Sequence, residues 1–441
     1  MRHQGSLRVL AVIASFCPGA QLEGQVGSPA GPVPVELLAA RRAALARQIG
    51  TGVVVLRSAE ERSIEGDYPQ DSDFRESNDF FYLTGLEAPE SWFVLVARDS
   101  AVADAHLFLP ARDPQSERWT GPKLGPDSAA MRITGIAAVH PSDSVQQLLR
   151  RLTGGMNSPA RAGAVYLVKD ERALDDPLLR RLFLSQLTVR DARPVMGQLR
   201  LVKDAEEIAR LRKAIDITAE AHREAMKAAK PGMWEYQLEA LIEYTFRRQG
   251  AERVGFPSII GSGINSTILH YDKSRRQAAA GDLVVMDIGA EYGYYSADVT
   301  RTIPISGRFT SRQRKVYDLV YATQQAAIDS VRPGISIARL SQIAQEYMQA
   351  HSGDICGSEP CNRYYIHGLS HWLGMDVHDV GGSLSVPLRP GMVFTIEPGI
   401  YIPEESLGVR IEDDILVTET GGEVLSRGAP RKAEDVERMM R

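Results

Sequence analysis

Two Pro-Gly pairs, Pro231-Gly232 and Pro333-Gly334, lie 102 positions apart, and six positions beyond each glycine stands a leucine, Leu238 or Leu340. Each pair stops one helical pattern and precedes another, over 205–229 and 234–248 in the first case and 311–331 and 337–350 in the second. Strand-like runs follow each helix pair. A repeat this long exceeds the roughly 20–50 residues of a solenoid unit. It predicts two similar α/β halves folded against each other, with a cleft at their junction.

The strand-like runs carry carboxylates at the same interval. In 282–289 the alternation puts Leu283, Val285 and Asp287 on one face, and a turn near 291–294 leads into a second strand bearing Asp298, Thr300 and Thr302. Such a hairpin brings Asp287 and Asp298 together. In the second half an apolar run over 392–396 ends at Glu397, and a strand predicted over 409–418 places Arg410, Glu412 and Asp414 on one face. Asp287 to Glu397 is 110 positions and Asp298 to Glu412 is 114, so each half supplies one pair. Any one of these read alone is a solvated or salt-bridged strand residue. Four carboxylates inside apolar strands are another matter, because desolvation and repulsion oppose their charge unless cations neutralise them.

A nitrogen ligand is at hand. Three of the nine histidines, His367, His371 and His378, fall within twelve residues, interleaved with Leu369, Trp372, Leu373 and Val377 rather than polar filler. A single histidine in such surroundings is usually a core residue satisfied by the backbone; three beside a carboxylate set suit metal ligation and proton transfer. Two divalent ions held by the carboxylates and His371 resolve the repulsion. A donor set dominated by oxygen favours Mn²⁺, with Co²⁺ and Zn²⁺ as alternatives.

At 441 residues the chain exceeds one ordinary core. Residues 35–190 read as a smaller α/β domain, with a helix over 35–49 and strands over 52–56, 80–84 and 92–97, and Trp119 as a packing residue in a loop. Residues 191–203 read as a connection, and 204–441 as the repeated domain. A net charge of −5 without long single-sign runs gives no case for nucleic acid, and no apolar stretch approaches the roughly 20 residues of a membrane span. Residues 1–20, with Arg2 and Arg8 before an apolar run, have the layout of a secretory signal, and 21–34 that of a flexible lead-in. With the leader and Cys17 removed, Cys356 and Cys361 remain, either as a disulfide suited to an oxidising compartment or as two thiols.

The residues that carry these readings resemble the pita-bread metallopeptidases, most closely their bacterial aminopeptidase P members. The matching stretches are Met286-Asp287-Ile288-Gly289, 297–302 around Asp298, 367–374 from His367 to beyond His371, Asp376-Val377-His378-Asp379, Thr395-Ile396-Glu397-Pro398-Gly399 and 410–414 around Glu412. The likeness continues into 77–85 and the connection around Arg200. It implies a smaller N-terminal α/β domain joined to a pseudo-twofold pita-bread domain. It also implies Asp287, Asp298, His371, Glu397 and Glu412 as ligands of two metals, usually Mn²⁺. The implied reaction is hydrolysis of the bond before a proline in second position of a peptide, by a metal-bridged hydroxide. Glu397 would manage the proton, while His270, His367, His378 and Arg410 would bind substrate, His367 and His378 also meeting the developing oxyanion. A homo-oligomer, dimer or tetramer, goes with the likeness.

Three other readings compete. A prolidase uses the same ligands but cleaves only dipeptides; a creatinase-like enzyme does not need five ligands; and an inactive binding protein of this fold would be expected to have lost one.

Overall fold

Helix α1 (Val35–Ile49) packs on a mixed six-stranded sheet and against residues 78–84 and 193–201. In the computed structural model, residues 29–60, 74–154, 158–168 and 175–441 are described; the leader reading, Cys17 and most of the lead-in fall outside them. The sheet has the order β4-β3-β2-β1-β5-β6, built from β1 (Gly52–Arg57), β2 (Trp92–Arg98), β3 (Ala101–Leu109), β4 (Ala138–Pro141), β5 (Ala164–Leu167) and β6 (Val189–Asp191). The strands at 52–56 and 92–97 form as the sequence predicts. The strand expected at 80–84 does not.

That stretch is helix α2 (Asn78–Thr84). A short buried apolar run fits either state, and its ends decide the matter. Ser77 caps the first turn by accepting from Phe80 N, and Gly85, at φ 70°, closes the last by donating to Phe81 O at 2.7 Å. The expected packing role of Trp119 is overturned as well: it is 73% exposed, on the short helix Glu117–Thr120. The connection has structure of its own. It holds helix α3 (Arg193–Leu201), begun by Pro194 and burying Met196, Arg200 and Leu201. Mid-helix Gly197 argues against a helix by propensity, yet the helix runs through it, and a Cβ there would meet Val380 only at an ordinary contact distance of 3.4 Å.

The repeat is realised in space. Helices α4 (Ala205–Ala228) and α5 (Glu235–Arg248) flank the first Pro-Gly pair, and α6 (Ser311–Asp329) and α7 (Ile337–His351) the second. Gly232 and Gly334 have φ of 89° and 90°, a left-handed turn that glycine adopts without penalty. Their N–H groups donate to Ala278 O and Leu388 O at 2.8 and 2.9 Å. Trp234 then bridges to Gln277 as Ser336 bridges to Pro387.

The first half contains β7 (Arg253–Val254), β8 (Ile259–Ser262), β9 (Leu283–Ile288), β10 (Ala290–Tyr292), β11 (Tyr295–Ser296) and β12 (Val299–Pro304), with one sheet in the order β12-β9-β8. The second contains β13 (Val393–Ile396), β14 (Gly399–Ile402), β15 (Leu407–Arg410), β16 (Asp413–Val417) and β17 (Gly422–Val424), with a matching sheet β13-β16-β17. The continuous strand expected at 409–418 is therefore broken, although Arg410 and Glu412 still meet at Thr300 Oγ1. At Ile411 and Glu412 the chain leaves its ladder with β14 before pairing with β13. Glu412 N instead donates to Thr300 O at 3.1 Å, in the opposite half.

One apolar cluster crosses between the domains, joining Phe80, Phe81 and Leu83 to Leu211, Tyr294, Tyr295 and Met375. No described helix is long and apolar enough to cross a membrane. Cys356 and Cys361 are joined by a disulfide, with Cα atoms 5.2 Å apart, inside a cluster with Tyr365, Ile400 and Ile402. Closing so short a loop stabilises the fold by about 2 kcal/mol. A Cys356→Ser/Cys361→Ser protein is expected to melt a few degrees below the parent under non-reducing conditions, and equal melting temperatures would refute the contribution.

Candidate metal centre

The two halves place their acids by the same device. Asp287 is the penultimate residue of β9 and Asp298 immediately precedes β12, with β9 and β12 antiparallel so that Asp287 faces Thr300. Glu397 directly follows β13 and Glu412 directly precedes β16, again an antiparallel pair. Thr300 ties the pairs together, donating through Oγ1 to Glu412 Oε2 at 2.6 Å. His371 enters from the loop between α7 and β13. Thr395 N donates to His371 O at 3.0 Å, and His371 N donates to Thr395 Oγ1 at 3.2 Å.

His371 Nδ1 lies 3.1 Å from Trp372 O. A carbonyl only accepts, so Nδ1 carries the proton and Nε2 presents a lone pair. That lone pair faces Asp298 Oδ2 at 3.2 Å, Glu397 Oε1 at 3.6 Å and Glu412 Oε1 at 3.9 Å. A second-sphere bond of this kind is how a metal-binding imidazole is oriented. Asp298, His371 and Glu412 each offer a ligand atom within 4.8 Å of the others. Among the described residues, Asp287 Oδ1, Asp298 Oδ1, Glu412 Oε1 and Asp414 Oδ1 are buried without any hydrogen-bond partner.

Lone pairs converging without donors between them fit a cation. Burial first, then Asp287, Asp414 and Glu397, push Asp298 well above the ordinary carboxylate range. Burial and then Asp298 do the same to Glu412. Burial also raises Glu397, against the pull of His371 and Arg410. An imidazole and several carboxylates that resist ionisation together describe a site completed by a divalent metal.

Around this centre the structure places the remaining predicted residues. His367 donates from Nδ1 to Gly368 O at 2.8 Å, so its Nε2 accepts from the Tyr401 hydroxyl at 2.8 Å. Burial and Arg410 hold it neutral, its pKa lowered to about 4. His378 packs its ring 4.1 Å from that of His371 and is also lowered by burial. His270 is exposed and lies near enough to His367 and His378 to disfavour charge on both. Arg410 is buried and engaged inside the protein, donating to Asp287 Oδ2 at 2.6 Å, the Tyr401 hydroxyl at 3.0 Å and Thr300 Oγ1 at 3.1 Å.

Sequence reasoning missed Tyr401, which links His367 to Arg410. Its spacing of four from Glu397 across a Pro-Gly turn gives no periodic signal. Tyr365 was also missed; it packs edge-on to the His367 ring at 5.0 Å.

Comparison with known proteins agrees with this geometry. Residues 209–419 match Metallopeptidase family M24, and residues 38–159 match the Aminopeptidase P, N-terminal domain. The Xaa-Pro aminopeptidase of Escherichia coli is 38% identical over 435 residues, covering 91% of this chain and 96% of that one. Human Xaa-Pro aminopeptidase 3 is 33% identical, covering 83% and 76%. Among solved structures, Escherichia coli aminopeptidase P with the inhibitor Pro-Leu superposes with a TM-score of 0.83 at 36% identity, covering 93% of this chain and 99% of that one. Proline aminopeptidase P II from Yersinia pestis gives 0.83 at 35%, covering 92% and 99%. With both profiles matched in their own parts of the sequence and the likeness running through nearly the whole chain, the protein belongs to the M24 metallopeptidases, in the aminopeptidase P branch with its pita-bread fold.

Proposed function

We propose that this chain is an aminopeptidase that removes the N-terminal residue from peptides with proline in second position, using two Mn²⁺ ions held by Asp287, Asp298, His371, Glu397 and Glu412. The observation that carries the reading is the His371 Nε2 lone pair turned toward three carboxylates, with buried oxygens around it that no protein donor satisfies. Divalent ions bound there polarise the scissile carbonyl and acidify a water.

The chain's own groups do the rest. Glu397 Oε2, 3.7 Å from His367 Nδ1, takes the proton released by the attacking water and returns it to the prolyl nitrogen. His367 and His378 flank the substrate where charge develops on the carbonyl oxygen. Arg410 holds Asp287 and Tyr401 in place from behind. A prolyl bond suits such a site because the tertiary amide has no N–H to offer an ordinary peptidase cleft.

Two further readings go with this one. The chain acts outside the cytoplasm, supported by the layout of residues 1–20 and by the Cys356–Cys361 disulfide; purified exported protein beginning near Gln21 would test it. It also assembles as a homo-oligomer; the Trp119 indole, 73% exposed, supports this because so large an apolar ring suits burial against a second copy, and molar mass in solution is the check.

The activity is tested with Mn²⁺-loaded protein lacking residues 1–20, on an Xaa-Pro-Xaa tripeptide and an Xaa-Pro dipeptide. Release of the first residue from the tripeptide is expected, and its loss with chelator and with Glu397→Ala. Cleavage of the dipeptide alone would make the protein a prolidase and overturn the reading.

A further inference from the structure

His378 stands one residue before Asp379, and Asp379 is held more firmly than its exposed neighbours. Its side chain is 1% exposed, with Oδ1 accepting from Arg200 Nη2 at 2.6 Å and Oδ2 facing Lys203 Nζ at 3.3 Å. Its backbone N–H donates to Trp372 O at 2.8 Å. Gly374 closes the loop: a Cβ there would fall 2.0 Å from Asp379 Oδ2, so the carboxylate sits where only glycine leaves room.

Arg200 does not stop at this loop. Its guanidinium, 3% exposed, also reaches Asp376 at 3.1 Å and Asp79 at 2.9 Å, and Asp79 belongs to helix α2 of the N-terminal domain. A second and separate tie comes from the same segment. Arg75 Nη2 donates to Met375 O at 2.9 Å while its Nε donates to Glu291 Oε2 at 2.8 Å. Residues 75–79 of one domain thus reach loop 374–379 of the other twice, Arg75 directly at Met375 and Asp79 by way of Arg200 in the connecting helix. A buried ionic cluster is a poor way to gain stability, since apolar packing of similar volume serves as well or better. What a forked guanidinium with several carboxylates does supply is fixed geometry.

We infer that the N-terminal domain takes part in the reaction as a positioning element: through Asp79 and Arg75 it fixes loop 374–379, and with it the place of His378. This rests on the reading of His378 as a substrate-facing residue. A displacement of about 1 Å at a reacting group is enough to lower a rate by up to about 100-fold. An effect relayed through an intermediate arginine is expected to be smaller, roughly 10-fold on kcat.

A double-mutant cycle on the Mn²⁺-loaded enzyme separates positioning from general damage, because coupling appears only between groups that act through each other. Asp79→Asn keeps the shape of the side chain and removes its charge. It is expected to lower kcat for an Xaa-Pro-Xaa tripeptide about 10-fold with KM changed less than about twofold, and to lower kcat less than about twofold when His378 is already alanine. The same fold loss in both backgrounds, or no loss in the parent, would overturn the inference while leaving the role of His378 intact. If His378→Ala alone leaves kcat unchanged, the reading of His378 fails and the inference falls with it. Should Asp79→Asn not fold, Arg75→Gln, which loses the bond to Met375 O, goes through the same cycle with the same expected outcomes.

Discussion

A Glu412→Gln protein is expected to lose more than about 100-fold in activity and in metal affinity, and yet, stripped of metal, to be more stable than the parent at pH 8. The first part follows from the proposed site: removal of a mere supporting group around a metal typically costs 10–100-fold, and Glu412 is one of the ligands proposed above. The second follows from electrostatics. Glu412 is 1% exposed, one oxygen accepts from Thr300, and the other has no partner. Burial, then Asp298, Glu397 and Asp287, raise its pKa well above the ordinary carboxylate value.

A carboxyl whose folded pKa lies above its unfolded one contributes stability below the unfolded pKa and loses it as pH rises through the folded pKa. Without metal, the parent should therefore weaken progressively as pH climbs from about 4.5, and glutamine, which accepts from Thr300 but carries no charge, should weaken less. Melting temperatures of chelated parent and variant between pH 5 and 8 measure this directly. A flat profile for the chelated parent, or a variant less stable than it at pH 8, would show that the carboxylates are not opposed as the geometry indicates.

The largest loss of stability from a single side chain is expected at Arg301. It is fully buried and pairs with Asp413 Oδ1 at 2.7 Å, while Nη1 donates to Glu412 O at 2.6 Å and Nη2 to Ala429 O at 3.0 Å. Asp413 is equally buried and accepts a further bond from Ser426. Arg301→Met fills much of the volume but leaves Asp413 with the Ser426 hydroxyl and, for a cation, the more distant Arg431, whose Nη1 is 3.5 Å away. Breaking a buried pair by removing one partner destabilises by about 3–5 kcal/mol, read as a shift of the urea midpoint with an unchanged slope. The double variant Arg301→Met/Asp413→Leu should recover part of that loss. A loss below about 1 kcal/mol for the single change would show that the Arg301–Asp413 pair does little to hold the fold.

What the sequence disclosed and what it hid divide along a physical line. The twofold repeat was legible because Pro-Gly stops and apolar strands are local signals, and the structure repeats them down to matching bridges at Trp234 and Ser336. The acids were legible because carboxylates do not belong in apolar strands. Thr300 and Arg301 stayed hidden as partners because their roles depend on contacts between residues 112 positions apart, Thr300 with Glu412 and Arg301 with Asp413, and Tyr401 because its link from His367 to Arg410 follows no period. The break at Ile411 could not be read either. Alternation continues through it, and only the pull of Thr300 and Arg301 on Glu412 takes the chain off its ladder. Helix α2 reads as a strand for a more modest reason: its caps, Ser77 and Gly85, are present in the sequence but are a weaker signal than the apolar run between them.

The apolar cluster that runs from Phe80 and Phe81 to Tyr294 and Met375 has a bearing on how chains of this kind can be recombined. Phe81 stacks on Tyr294 with ring centres 3.8 Å apart, and the Arg75 guanidinium lies over the same Tyr294 ring at 4.8 Å. The junction is thus not a hinge between interchangeable modules. Grafting an N-terminal domain from another lineage onto this catalytic half would have to import a matching surface at both faces, so the two parts are bound to change together over evolutionary time even though each is matched by its own family profile.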